Sequence, residues 1–113
     1  AVLHTHSLKA TLVSMHIDGP VVIEGLELLK ALEGIKTHQS RLEIPVFDNT
    51  QDITALATEV DQWMDSHGTG HAYLIKGHGL YTWGRDLDAT LRQIEALEFL
   101  LDYYWHQMQI RQQ

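Results

Sequence analysis

No cysteine occurs anywhere in the chain, which excludes both disulfide staples and thiolate metal sites and is compatible with a reducing cytosol. Basic residues are also scarce. Eight Lys and Arg stand against fifteen Asp and Glu, a formal net charge of -7, and this argues against a nucleic-acid backbone as partner, because such binders carry a basic face. A small anionic ligand remains compatible where positive charge is local. No apolar run approaches the roughly 20 residues needed to cross a bilayer, and no secretory signal is legible. Internal repeats, linkers and low-complexity tracts are likewise absent.

The residues that are present describe globular material. Hydrophobic residues make up 44% and charged residues 20% of 113 positions, enough for one domain with a single core, or for part of one. The chain begins at Ala1, directly inside what reads as a buried strand. Domains usually lead in with polar or flexible residues, so the expectation is that sequence is missing upstream.

That opening strand, Ala1-Val2-Leu3-His4-Thr5-His6-Ser7, carries the clearest chemical signal. Successive side chains on a strand point to opposite faces, so His4 and His6 project together with Thr5 on the other side. Two imidazoles then converge. Neutral imidazole suits zinc, and a catalytic zinc takes about three protein ligands plus an open position. The candidate third ligand is His78, in the stretch 72–84, where a second apolar run breaks at a histidine held between Gly77 and Gly79.

Around these two segments the apolar spacing predicts a mixed sheet with helices packed on it. Ser7 is a plausible N-cap for a short helix with Leu8, Leu12 and Met15 on one face. Asp18-Gly19-Pro20 ends it, Val21-Val22-Ile23 favours a short strand, and residues 25–34 read as a helix stopped by Gly34. Residues 41–47 alternate like a half-buried strand, with Pro45 at an edge or a bulge. Ile53, Leu56, Val60, Trp63 and Met64 share one face of an amphipathic helix, which Asn49, Thr50 or Asp52 caps. Residues 71–77 form a central strand and residues 80–83 another. The longest helix spans about residues 86–110, with Leu87, Leu91, Ile94, Leu97, Leu101, Tyr104, Trp105 and Met108 at intervals of three and four.

The segments AVLHTHS, EGLELLKALEG, RLEIPVFDNTQDI and AYLIKGHGLYTWGRDLDATLRQIEALEFL, taken together, resemble the class II aldolase family, and within it the methylthioribulose-1-phosphate dehydratases of methionine salvage. The resemblance spans nearly the whole chain, and HTHS with GHGLYTWG are its most specific parts. It implies a three-layer α/β fold with a central, mostly antiparallel or mixed sheet, of which residues 1–113 are the C-terminal part of a single domain. Members run to roughly 200 residues, an ordinary size for one domain, and their first half, with early strands and phosphate-binding residues, has no counterpart here. The resemblance further implies Zn²⁺ on His4, His6 and His78, a sugar-phosphate substrate, and a cytoplasmic homotetramer. It also implies that Glu27 acts as acid and base, with Glu24 as the alternative. Typical aldolases of the class take their glutamate from a segment before HTH, so a glutamate at Glu27 favours dehydration.

Three functions stay open on this reading. One is a zinc-dependent lyase that dehydrates 5-methylthioribulose 1-phosphate to 5-methylthio-2,3-dioxopentyl phosphate. Another is an aldolase that cleaves a ketose 1-phosphate with the same metal. The third is a non-catalytic interaction module on the same fold. Each singled-out residue also has a plainer reading. His4 and His6 would be polar residues on a solvated strand face, and Glu27 an exposed helix glutamate. His67 and His71 have a metal-like spacing, but the intervening glycines favour a surface loop. His16, His38 and His106 default to solvent or packing. Trp83 and Tyr81 either line an apolar pocket for a methylthio group or pack in the core. Lys76 and Arg85 either aid phosphate or are surface charges, and Tyr103-Tyr104-Trp105 suit a subunit contact.

Overall fold

Pro45 divides what reads as one strand into two that belong to different sheets. The computed structural model describes residues 1–32, 34–35 and 40–111. Its elements run β1 (Val2–Thr5), α1 (Leu8–His16), β2 (Val21–Glu24), a 3₁₀ turn (Glu27–Ala31), β3 (Arg41–Ile44), β4 (Val46–Phe47), α2 (Ile53–His67), β5 (Ala72–Ile75), β6 (Gly79–Trp83) and α3 (Leu87–Arg111). β3 pairs antiparallel with β2 in a two-stranded sheet, whereas β4 pairs parallel with β5 in a four-stranded sheet of order β1-β6-β5-β4. Proline has no N–H to continue a ladder. The Pro45 carbonyl instead accepts the Leu74 N–H at 2.9 Å, so the chain leaves one sheet and enters the other at this residue. The mixed sheet is the expected one, but the single edge strand over residues 41–47 is corrected to two strands shared between sheets.

In the larger sheet, β1, β6 and β5 are antiparallel, and their register sorts the side chains into two faces. Thr5, Leu80 and Leu74 lie in one row and Leu3, Thr82 and Ala72 in the next, facing α1 and α3. His4, Tyr81 and Tyr73 form a row on the opposite face, the side on which α2 sits beside β4. The core joins Val13, Leu74, Leu80, Leu97, Leu100 and Leu101 to Val21, Ile23, Leu29, Leu42 and Ile44 of the smaller sheet and the 3₁₀ turn. At the far end of β6, the buried Gln93 amide donates to the Trp83 carbonyl at 2.7 Å and to Thr82 Oγ1 at 2.9 Å, which ties α3 to that strand.

Two helical segments differ from the spacing-based expectation. α1 begins after Ser7, whose hydroxyl accepts the Ala10 N–H at 3.2 Å, but its buried residues are Ala10, Val13 and Ser14. Leu8 and Met15 are 69% and 57% exposed. Small side chains fill the narrow space between the sheet and α3, and the larger ones are turned outward. The expected helix over residues 25–34 is, among the described residues, a 3₁₀ turn over Glu27–Ala31. Leu29 and Leu32 donate to the carbonyls of Leu26 and Leu29, each at 3.1 Å, a three-residue repeat that eclipses side chains at i and i+3 and so lines up Leu26, Leu29 and Leu32 on the core. α2 is capped by Asp52, whose Oδ1 accepts the Ala55 N–H at 3.0 Å. No residue of α2 is fully buried, and Ile53 is 70% exposed. α3 matches its expected span within one residue at each end.

β6 starts at Gly79, whose φ is +151°. A Cβ there would lie 1.9 Å from the Thr5 carbonyl oxygen and 3.1 Å from His4 Cε1. Gly19, by contrast, has φ +80° with nothing within 4 Å of a Cβ. Gly79→Ala is therefore expected to lower stability by at least about 3 kcal/mol, since β1 must move aside. Gly19→Ala should cost only about 1–2 kcal/mol for its left-handed backbone. Urea unfolding of the two variants measures the difference.

Candidate metal centre

The antiparallel pairing of Thr5 with Leu80 brings the end of β1 beside the turn that joins β5 to β6. That turn is closed by the His78 N–H donating to the Ile75 carbonyl at 3.0 Å, with Gly77 at φ +68°. His78 sits at its tip. Its ring lies 4.9 Å from that of His4 and 4.9 Å from that of His6, while His4 and His6 are 4.3 Å apart, centre to centre. One ring nitrogen from each of the three falls within 4.8 Å of the others. Residues 72 positions apart in sequence are thus neighbours in space.

Hydrogen bonding decides which nitrogens face inward. His4 Nδ1 lies 2.9 Å from the Leu80 carbonyl, which can only accept, so this nitrogen carries the proton. Nε2 of the neutral ring then presents a lone pair, and it lies 3.0 Å from His6 Nε2. Imidazole nitrogens on a tetrahedral zinc are roughly 3.3 Å apart, given Zn–N distances near 2.0–2.1 Å. The donor set therefore fits a divalent cation of that kind after small side-chain adjustments, and a carbonyl-bonded Nδ1 is the usual way a ligating imidazole is oriented. Burial is the main reason the His4 imidazole titrates below its ordinary range, and repulsion from His6 and His78 adds to it, against the opposing pull of the Leu80 carbonyl. A neutral ring is the ligating form.

Each residue of His-Thr-His-Ser has a separate task. Thr5 points away from the imidazoles and donates its hydroxyl proton to the Glu98 carboxylate on α3. Ser7 ends the strand and caps α1, and its carbonyl also accepts the Thr11 hydroxyl proton at 2.8 Å. Tyr81 stacks on His4 at 4.0 Å with 17° between the rings, and Tyr73 stacks on Tyr81 at 5.1 Å. Sequence reasoning did not single out Glu98. A carboxylate set among Ile94, Leu97 and Leu101 on an otherwise apolar stripe was the available signal, since such a group needs a partner.

The remaining candidates are elsewhere. Glu27 lies in the 3₁₀ turn, 71% exposed, paired with Lys30, and is not among the ligand atoms gathered by the three histidines. Glu24 ends β2 and is exposed opposite Arg41. His67 stacks on Trp63 at 3.6 Å at the exposed end of α2, and His71 belongs to the following loop. His16 packs edge-on against Trp105, and His106 lies 3.2 Å from Asp102. His38 falls outside the described residues. Lys76 pairs with Asp48 at 3.6 Å. Trp83 is half-buried on the α2 side of the sheet. Of the three aromatics near the C-terminus, Tyr104 and Trp105 pack against the core and only Tyr103 is exposed, which narrows the expected contact surface.

An α/β fold with imidazoles gathered where an edge strand meets a glycine turn defines a known class: the chain belongs to the Class II Aldolase and Adducin N-terminal domain family, whose profile matches residues 1–105. Among its relatives, the methylthioribulose-1-phosphate dehydratase of Alcanivorax borkumensis is 62% identical over 102 residues, covering 89% of this chain and 48% of that protein. The enzyme of the same name from Marinobacter nauticus is 52% identical over 113 residues, covering 98% and 54%. The chain thus spans about half the length of the curated relatives it matches. A solved structure, the L-fuculose-1-phosphate aldolase of Thermus thermophilus, superposes with a TM-score of 0.61 at 20% identity, covering 97% of this chain and 52% of that one. The fold is shared.

The lowered titration of His4 makes stability depend on pH with a definite sign. With the folded-state value below the unfolded one, the contribution of the neutral ring is complete above the ordinary value of 6.5 and is lost as pH falls through the folded value. The metal-free protein should therefore lose urea resistance as pH falls below the ordinary histidine value of 6.5, and bound metal should leave as the imidazoles protonate. His4→Asn should flatten the first profile. Metal content that stayed constant down to about pH 4 would contradict the imidazole ligand set.

Proposed function

We propose that this chain carries the metal-binding half of a zinc-dependent hydro-lyase that converts 5-methylthioribulose 1-phosphate into 5-methylthio-2,3-dioxopentyl phosphate and water. The observation that carries the reading is the convergence of His4, His6 and His78 in a chain 62% identical to an enzyme named for that dehydration. His4, His6 and His78 would hold the ion. When bound, zinc supplies a Lewis acid for the ketose carbonyl oxygen and for the charge that develops as the neighbouring carbon loses its proton.

The chain's own residues do the rest. The Leu80 carbonyl and the Tyr81 ring hold His4 in place, and His6, the residue after β1, meets the His4 ring edge-on at 4.3 Å. Glu27 takes the proton from the carbon beside the carbonyl and gives it to the hydroxyl on the next carbon, which leaves as water. The carbon–oxygen bond breaks, an enol forms, and its tautomer is the diketone. The Glu27 side chain is 71% exposed and pairs with Lys30. Aldol cleavage would use the same metal but break a carbon–carbon bond. Identity to the dehydratases is far higher than to the aldolase, and it favours loss of water.

By the same resemblance the protein acts in methionine salvage, in the cytoplasm and as a homotetramer. Phe99, Tyr103 and Ile110 lie exposed along α3, and they offer an apolar surface for subunit contact. Among the described residues no helix is long and apolar enough to cross a membrane.

In the protein expressed in full, Glu27→Gln should retain zinc while turnover falls by about 10²–10⁴-fold, and His78→Ala should lose the metal. Elemental analysis and a coupled assay for the diketo phosphate read the two effects. A product that keeps one carbon skeleton marks dehydration; two fragments would assign the chain to aldol cleavage.

A further inference from the structure

α1 touches the imidazole cluster twice. Its first turn follows directly from His6 through the Ser7 cap, so the His-x-His pair and α1 form one continuous, capped unit. In its last turn, α1 reaches the turn that bears His78. There the Ser14 side chain, 0% exposed, accepts the Gly77 N–H at 3.1 Å. The Ser14 hydroxyl proton is committed elsewhere, to the Thr11 carbonyl at 2.7 Å, so the oxygen lone pairs are directed at Gly77. A serine hydroxyl has one proton and two lone pairs. Both roles are filled.

The bond has a conformational consequence. The Gly77 N–H belongs to the Lys76–Gly77 peptide, and with that peptide held, the Gly77 backbone at φ +68° sets where His78, the next residue, leaves the turn. The His78 N–H closes the turn on Ile75, but that bond does not set how the turn sits against α1. Ser14 does. Met15, its neighbour, lies 3.4 Å from where a Gly77 Cβ would be, so the turn rests on α1 at van der Waals distance.

We infer that Ser14 is a positioning residue for the third metal ligand: from inside α1 it anchors the Gly77 N–H and thereby sets the aim of His78 toward His4 and His6. The inference rests on the reading that these three imidazoles hold a metal. It goes beyond that reading by assigning the geometry of the site to a hydroxyl that touches neither metal nor substrate. Orienting groups behind metal ligands commonly carry a ten- to hundred-fold share of affinity.

The test uses cobalt(II) as the probe, in the protein expressed in full, with Ser14→Ala, Ser14→Cys and, as control, His78→Ala. Cysteine nearly keeps the volume of serine but is a weak acceptor. Ser14→Ala and Ser14→Cys should both weaken cobalt affinity by about tenfold and shift its visible absorption bands, while the unfolding temperature of metal-free Ser14→Cys stays near that of the unsubstituted protein. In the unsubstituted metal-free protein, the Gly77 amide should exchange with deuterium slowly. A cysteine variant that binds cobalt with unsubstituted affinity and spectrum, or a Gly77 amide that exchanges at the rate of an unstructured chain, would overturn the inference. His78→Ala binding cobalt as well as the unsubstituted protein would instead overturn the metal reading itself.

Discussion

The site depends on how closely the end of β1 can approach the start of β6. At Gly79 the two backbones come together in a space that has no room for a Cβ, because the Thr5 carbonyl oxygen occupies it. This approach places the His4 ring where its Nδ1 meets the Leu80 carbonyl, and it sets His78 within reach of the other two imidazoles. The flanking glycines have different jobs. Gly77 supplies the left-handed backbone of the turn, and Gly79 supplies the absence of a side chain.

The scaffold beneath that approach is built from hydroxyl and carboxylate contacts rather than from apolar packing alone. Thr5 reaches Glu98 on α3, Ser7 caps α1, and Ser14 holds the turn, so three elements are fastened around a four-residue strand at the edge of the sheet. These side-chain contacts join β1 to α3 and α1 in addition to its backbone ladder with β6. Alternation along β1 makes this possible, since imidazoles occupy one face while Thr5 is free to reach the helices on the other.

The same alternation produces the row His4–Tyr81–Tyr73 across three strands. Stacking between those rings links the His4 imidazole through Tyr81 to Tyr73, and so to the middle of the sheet. On the other side of the sheet, the buried Gln93 amide fixes α3 to β6, and α3 in turn presents Glu98 to Thr5. The cluster is therefore connected to the core along both faces of the sheet.

Whatever depends on neighbours within a few residues was legible from the order of the amino acids. Alternation put His4 and His6 on one side, glycines on both sides of His78 marked a turn, Ser7 capped a helix, and regular spacing outlined α3. These are local constraints, and the residues that impose them are adjacent in the chain. Where competing local patterns met, sequence was ambiguous: Leu26, Leu28, Leu29 and Leu32 suit an α-helix as well as the 3₁₀ turn observed, and Leu8 with Met15 resembled a buried face that solvent in fact covers. It took the packed molecule to establish that Pro45 passes the chain between sheets, that small Ala10, Val13 and Ser14 form the inward face of α1, and that Thr5 meets Glu98 and Gly77 meets Ser14. Those pairings join residues 93 and 63 positions apart, and no spacing rule encodes them, because they follow from which surfaces pack once the core has closed.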